Sequence, residues 1–219
     1  GNASDRYTPW TRVENMVSNG AFRLKDWQLY RRLEVEKSAT YWDRENVKLN
    51  GIVFHPTENS VSEERMFRVG QLHYTGTVPL GKIPVYQEMA DTPYRQAPYI
   101  GTYYYLINTP QAPTDNLKVR QPQPVAIDRE SLNRNVLKGT NIPAYSITPP
   151  DTLGYFPPRL FSHDVARARE LLAEAGYPNG EGWPGLELTY NTSEDHRKVA
   201  VALQQMWKDA LNIEVTLTN

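Results

Sequence analysis

The chain has 219 residues, 24 of them basic and 25 acidic, for a net charge of −1, so it offers no strong field for nucleic acid or an anionic membrane. It is 39% hydrophobic and 22% charged and has no cysteine, an ordinary globular composition for one large or two small domains, without disulfides or thiolate metal sites. No apolar run nears the ~20 residues of a membrane span, and no basic stretch followed by an apolar one marks a signal peptide, so an exported protein is expected here in processed or shortened form.

Seventeen prolines and 14 tyrosines point to many ordered turns. Residues 1–10 read as an irregular start. Asn19-Gly20 marks a turn, and Ala21 to Trp27 alternates apolar and charged residues, the period of a half-buried strand. Leu33 to Lys37 alternates in the same way, so the two segments are expected to pair as a hairpin or meander, closed by Tyr41-Trp42-Asp43. Gly51 to His55 reads as a third strand, stopped by Pro56. Ser60 and Glu63 have capping-box spacing ahead of Met66, Phe67 and Val69, with Gly70 as the stop, so a helix is expected from Ser60. Leu72 to Thr75 resembles a short strand leading into Gly76-Thr77-Val78-Pro79, a loop with several exposed backbone donors.

After the prolines at 84, 93 and 98 comes Pro98-Tyr99-Ile100-Gly101-Thr102-Tyr103-Tyr104-Tyr105-Leu106-Ile107-Asn108. Its aromatic and β-branched residues, closed by Pro110, predict a strand with Tyr103 and Tyr105 on one face and Tyr104 on the other. Two readings fit three successive tyrosines. One is a core strand with phenols at its rim; the other is a seam between two units, beside a polar opening where each hydroxyl finds a partner.

Thr109 to Asn116 is a turn-rich break. Val125 to Arg129 and Leu132 to Leu137 carry helical spacing up to Gly139, and prolines at 143, 149, 150, 157 and 158 mark a long surface stretch. Ser162 is the expected cap of an amphipathic helix with Val165, Ala168, Leu171, Leu172 and Ala175 on one face, ending at Gly176. Leu186, Leu188 and Tyr190 alternate as a strand. Ser193 is the expected cap of a second helix with Val199, Ala202, Leu203, Met206 and Ala210 inward, and Ile213 to Leu217 is a last strand. Strand, helix, strand in that order predicts an α/β unit.

Several of these stretches together resemble one family, the periplasmic oligopeptide-binding proteins of ABC importers (solute-binding protein family 5). Met16 to Trp27 resembles its "NGAYKLKEW" segment, Ala39 to Asp43 its "YWD" site, and Tyr99 to Asn108 its "PYLGTYYYxxN" strand. Ala126 to Arg129, Pro143-Ala144-Tyr145, the "AxxLLAEAGY" helix at Ala166 to Tyr177, and Tyr190 to Ser193 followed by His196 continue the match in order, from about Trp10 to the end. The resemblance implies a fold class of α/β type, mixed-sheet lobes of a type II periplasmic binding protein that are incomplete here. Residues 8–100 would be part of lobe I and residues 101–219 part of lobe III, with the seam near 99–108. It further implies an internal piece or truncated form, lacking the early part of one lobe and the later part of the other with its acidic holder of the peptide amino group. Where the family has a helix of the type "VRxALxxAIDR", this chain has Val119-Arg120-Gln121-Pro122-Gln123-Pro124-Val125-Ala126-Ile127-Asp128-Arg129. A proline inside a helix costs ~3 kcal/mol, so either the helix starts later, near Pro124, or the sequence itself departs from the family here.

The function implied is non-catalytic binding of oligopeptides as an added strand between lobes, for delivery to an ABC permease, in the periplasm or tethered outside a Gram-positive cell. Tyr74, Thr75, Gly76, Thr77, Thr102, Tyr103, Tyr104 and Tyr105 would line the cleft; on their residues alone they read as a loop and a core strand. His196 lies in the first turn of its helix, where free amides and a positive dipole welcome an anion. The resemblance implies that it meets the peptide carboxylate, whereas the residue pattern alone fits a solvated first-turn histidine. Leu137, with Lys138 beside it, stands where relatives can place a second carboxylate-binding lysine.

Catalysis is not expected. Ser193, Asp195 and His196 share one helical turn and cannot form a nucleophile–base–orienter line. There is no G-x-S-x-G or H-E-x-x-H, and His55, His73, His163 and His196 are scattered, so neither a metal nor another cofactor is expected. The competing expectation is a truncated chain without transport role that self-associates or binds another partner through exposed apolar surface.

Overall fold

The computed structural model describes residues 9–97 and 99–219. Expectations resting on residues 1–8 and Pro98 lie outside the described residues. The chain divides into two compact units, one ending at Glu63 and one from Glu64 to Asn219.

In the first unit, β1 (Phe22–Gln28) and β2 (Arg32–Lys37) form the expected antiparallel hairpin, and β3 (Gly51–Phe54) adds to β2. Leu24 pairs with Val35 and Asp26 with Glu34, so Lys25 is an inserted residue, a β-bulge. The bulge explains why the polar pair Lys25-Asp26 interrupts the alternation. One face carries Leu24, Trp27, Leu33, Val35, Ile52 and Phe54, since residues directly opposite share a side. The other carries ion pairs: Arg23 to Glu36 at 2.6 Å, Lys25 to Glu34 at 2.6 Å and Arg32 to Asp26 at 2.9 Å. Exposed pairs of this kind contribute little each, about 0–1 kcal/mol, but they fix which face is wet.

Helix α1 (Ser60–Arg68) is capped one residue earlier than expected. Asn59 Oδ1 accepts from the Ser62 amide at 2.9 Å, so Asn59 is the N-cap and Ser60 the first helical residue. Gly70 follows the last turn as expected, the Gln71 amide bonding back to the Met66 carbonyl. Leu72 to Thr75 forms no strand, because no neighbouring strand presents a ladder to it. Helix α2 (Ile83–Glu88) buries Ile83 and Tyr86, and the Tyr86 hydroxyl donates to buried Glu64 at 2.7 Å.

The tyrosine stretch also differs from expectation. Residues 101–108 belong to neither sheet. Aromatic and β-branched residues suit a pleated surface, but a strand exists only where a partner supplies the ladder, and none does among the described residues.

Helix formation begins earlier than the prolines suggested. Asn116 caps α3 (Leu117–Arg120), and α4 (Pro122–Val125) follows after Gln121, itself helical in backbone. Pro122 occupies the first position of its turn, where a missing N–H costs nothing. The run is thus two short turns rather than one helix starting near Pro124. The break leaves the Gln123 carbonyl with no turn above it, and the buried Trp207 indole N–H donates to it at 3.0 Å. Next come α5 (Arg129–Ser131), capped by Asp128, and a π-helical turn, Leu132–Val136.

Helix α6 (Val165–Glu174) is capped by Asp164, not Ser162; the Asp164 carboxylate accepts from the Arg167 amide at 2.9 Å. Gly176, at φ +97°, lets the Tyr177 amide return to the Leu172 carbonyl. Then β4 (Leu186–Thr189), α7 (Glu194–Leu211) and β5 (Val215–Thr218) make the expected strand–helix–strand unit, with β4 and β5 parallel. Its core joins Ala168 and Leu172 of α6, Leu188, Val215, Ile213, and Val199, Ala200, Leu203, Trp207, Ala210 and Leu211 of α7. The buried stripe of α7 therefore includes Ala200, Trp207 and Leu211, while Ala202 and Met206 are only partly buried. Each large aliphatic side chain so buried contributes about 1.5–3 kcal/mol.

Candidate functional site

The N-terminus of α7 meets the tyrosine stretch. Ser193 is the N-cap, as the sequence predicts, its hydroxyl accepting from the His196 amide at 3.4 Å. This places the His196 imidazole beside the first turn, where it stacks on Tyr103 with centroids 4.7 Å apart and planes 28° from parallel. Tyr103 also meets Tyr105 edge-on, their hydroxyls 3.0 Å apart. Burial raises the Tyr105 phenol well above its ordinary pKa, and the hydrogen bond shared with Tyr103 adds to this. Both rings therefore stay neutral at any physiological pH. Tyr104 is exposed, so the two-faced alternation holds without a ladder.

Thr102 anchors the stretch from the other side, its hydroxyl donating to the Ile147 carbonyl at 2.7 Å. The sequence-predicted residues Thr102, Tyr103, Tyr105 and His196 thus share one locality. Tyr74, Thr75, Gly76 and Thr77 lie in a separate loop. Tyr74 is 81% exposed and the Thr75 hydroxyl reaches only the Thr77 carbonyl, at 3.4 Å; no described hydrogen bond or ring contact joins Tyr74, Thr75 or Thr77 to His196. Leu137 packs against the core, and Lys138 turns its ammonium onto the Asn135 carbonyl at 2.7 Å.

The chemistry available is recognition. The aromatic wall of Tyr103 and Tyr105 offers flat apolar surface with a polar edge. His196 offers a ring nitrogen beside a helix N-terminus, whose positive end Glu194 and Asp195 of the first turn partly offset. Asp195 is itself drawn to Lys198, at 3.3 Å. Among the described residues no three histidine, aspartate or glutamate side chains gather as a metal site.

Two features were missed by the sequence reading. Asn191 Oδ1 is hydrogen-bonded to His196 Nδ1; the motif Tyr190 to Ser193 held the residue but not its role. A second cluster braces the proline-rich stretch. The Arg159 guanidinium lies 3.6 Å from the Tyr145 ring centroid, Arg129 lies 4.5 Å from that of Phe161, and the Tyr145 hydroxyl bonds Glu130 at 3.2 Å. Burial lowers the Arg129 pKa, and the charge of Arg159 lowers it further. No spacing in the sequence signals cation–π pairs between such distant segments.

Comparison with known proteins adds a family. The model of bacterial extracellular solute-binding proteins, family 5 Middle, matches residues 2–219. The periplasmic oligopeptide-binding protein OppA of Salmonella typhimurium is 33% identical over 217 residues, 96% of this chain and 40% of that protein. The chain therefore spans about 40% of the length of the curated relatives it matches. The periplasmic oligopeptide-binding protein OppAIV of Borrelia burgdorferi superposes with a TM-score of 0.90 at 36% identity, over 98% of this chain and 43% of that one. The Haemophilus influenzae OppA complex with the peptide RPPGFSPFR superposes with a TM-score of 0.82 at 30% identity, over 96% and 43%.

Proposed function

The chain belongs to family 5 of the bacterial extracellular solute-binding proteins, and we propose that it supplies part of the cleft with which such a protein binds oligopeptides for an ABC importer. The observation that carries this reading is the family match over residues 2–219, with peptide-binding relatives at 33% identity. In this reading the protein does no chemistry of its own and works outside the cytoplasmic membrane. Residues 8–100 contribute to one lobe and 101–219 to another, and the 99–108 stretch is a crossover between them.

Tyr74, Thr75, Gly76, Thr77, Thr102, Tyr103, Tyr104 and Tyr105 would offer backbone and phenol groups to the main chain of an extended peptide. Main-chain bonds are common to all peptides, so affinity gained this way tolerates many side chains, and water in roomy pockets tolerates the rest. His196 would meet the C-terminal carboxylate, favoured by the α7 N-terminus. Leu137 in place of a lysine leaves that lone histidine as the expected contact.

Native mass spectrometry of the protein as the cell makes it, followed by denaturation, tests the reading. A ladder of small extra masses resolving into peptides supports it. A protein that carries no peptide and takes up none from a peptide mixture refutes it. A clean multiple of the protein mass without peptide would point instead to self-association.

A further inference from the structure

Resting on the peptide-binding reading above, we propose that carboxylate capture at His196 is proton-coupled, with Asn191 and Tyr103 as the positioning residues that make it so. The argument begins with the bond between Asn191 Oδ1 and His196 Nδ1. An amide oxygen has lone pairs and no proton, so Nδ1 must carry the hydrogen. A neutral imidazole has one N–H only, and here it is already spent on Asn191. Nε2 is then a bare lone pair, which repels a carboxylate oxygen.

The imidazolium resolves the conflict. With both nitrogens protonated, Nδ1–H keeps the Asn191 bond and Nε2–H donates to the anion, a charge-assisted bond of the stronger kind. No described residue takes up Nε2. Rotating the ring to present Nδ1 instead would break both the Asn191 bond and the stacking on Tyr103, 4.7 Å away. The stack favours the same charge state, because a cation over an aromatic face is attracted by the ring's quadrupole. The titratable or charged groups around the ring are Tyr103, neutral in this range and bonded to Tyr105, and Glu194, Asp195, Arg197 and Lys198 on α7. Asp195 is engaged with Lys198. Binding a ligand with a free carboxylate therefore draws one proton from solvent onto Nε2, and binding one without it draws none.

Isothermal titration calorimetry at pH 8 in phosphate and in Tris separates the outcomes. The probes are alanine peptides of two to five residues and their C-terminal amides, added to the whole protein. The difference in heat between buffers is expected to show close to one proton taken up per free-acid peptide and none per amide, with the free-acid affinity falling as pH rises from 6 to 9. In Asn191→Leu the tautomer is released, so neutral His196 can donate from Nε2; uptake is expected to drop toward zero while binding persists. His196→Gln, a neutral donor, is expected to bind both peptide forms without uptake. Binding of the acid with no buffer difference overturns the proton linkage and leaves peptide binding standing. Equal affinity for acid and amide likewise overturns it. Uptake unchanged in Asn191→Leu removes Asn191 from the argument and overturns it too. Binding of no peptide at any pH overturns both readings.

Discussion

Replacing Trp207 by phenylalanine tests whether the proline-broken turns are held by one indole. Trp207 is 5% exposed and donates its N–H to the Gln123 carbonyl, which sits on a turn that ends two residues later. Phenylalanine keeps the aromatic contact with α3, α4 and α6 but has no donor. A buried carbonyl left unpaired costs about 1–3 kcal/mol. The lost pyrrole atoms leave a small cavity, worth ~1 kcal/mol at about 24 cal/mol per Å³. The sum is about 2–4 kcal/mol. With a urea dependence of about 2 kcal/mol per molar, the unfolding midpoint should fall by ~1–2 M. Far-UV circular dichroism reads this without depending on tryptophan emission. Trp42→Phe is the control, since Trp42 is 85% exposed and its loss should stay within about 0.5 kcal/mol. If the two variants unfold together, the indole does not cap the broken helix and the account of the Gln121–Pro124 region is wrong.

Ser193→Ala removes the N-cap of α7 and should cost about 1 kcal/mol, read as faster amide exchange confined to the first turn of that helix; unchanged exchange there would refute the capping role. Gly180 has φ +77° and a Cβ added there would lie 2.3 Å from the Asn212 carbonyl oxygen, so Gly180→Ala should cost at least about 2 kcal/mol, and a melting temperature within a degree of the parent would contradict that. The Arg32 hydrogen bond, ahead of all other influences, holds the Asp26 carboxyl below its ordinary range. A depressed folded pKa stabilises above the unfolded value and is lost as pH falls through the folded one, so the hairpin contact should persist at mildly acidic pH and fade only in strong acid. Carboxyl carbon shifts in an NMR titration should place Asp26 below ~3.9, and Arg32→Gln should raise it.

Where neighbours in sequence are also neighbours in space, the residues were readable. Alternation at Ala21 to Trp27 and Leu33 to Lys37 gave the hairpin, and Ser193 with the following apolar stripe gave α7. Caps were harder, since several polar residues compete within a few positions: Asn59 outdid Ser60 and Asp164 outdid Ser162 because backbone angles, not composition, decide which oxygen faces the free amides. Propensity misled at Tyr99 to Asn108, where the residues suit a strand but the ladder depends on another segment. The two helical prolines were read as an obstacle, though each can sit where its turn needs no donor. Within the candidate site, His196 and Tyr103 could be named from their motifs. Their contact, and Asn191 on the far side of the ring, needed the fold to bring residues 103 and 196 together.

The bulge at Lys25 sets a rule of parity for β1. Up to Leu24 the even-numbered positions face the apolar side, and beyond Lys25 the odd ones do, so that Trp27 lies opposite Leu33 rather than among the ion pairs. Removing a single residue there would invert everything downstream, sending Trp27 to the ionic face and Asp26 to the apolar one. Removing two would restore the order and shorten the strand. Length variation in this strand is thus tolerated in even steps, and an odd step is accepted only where the bulge itself moves or disappears with it.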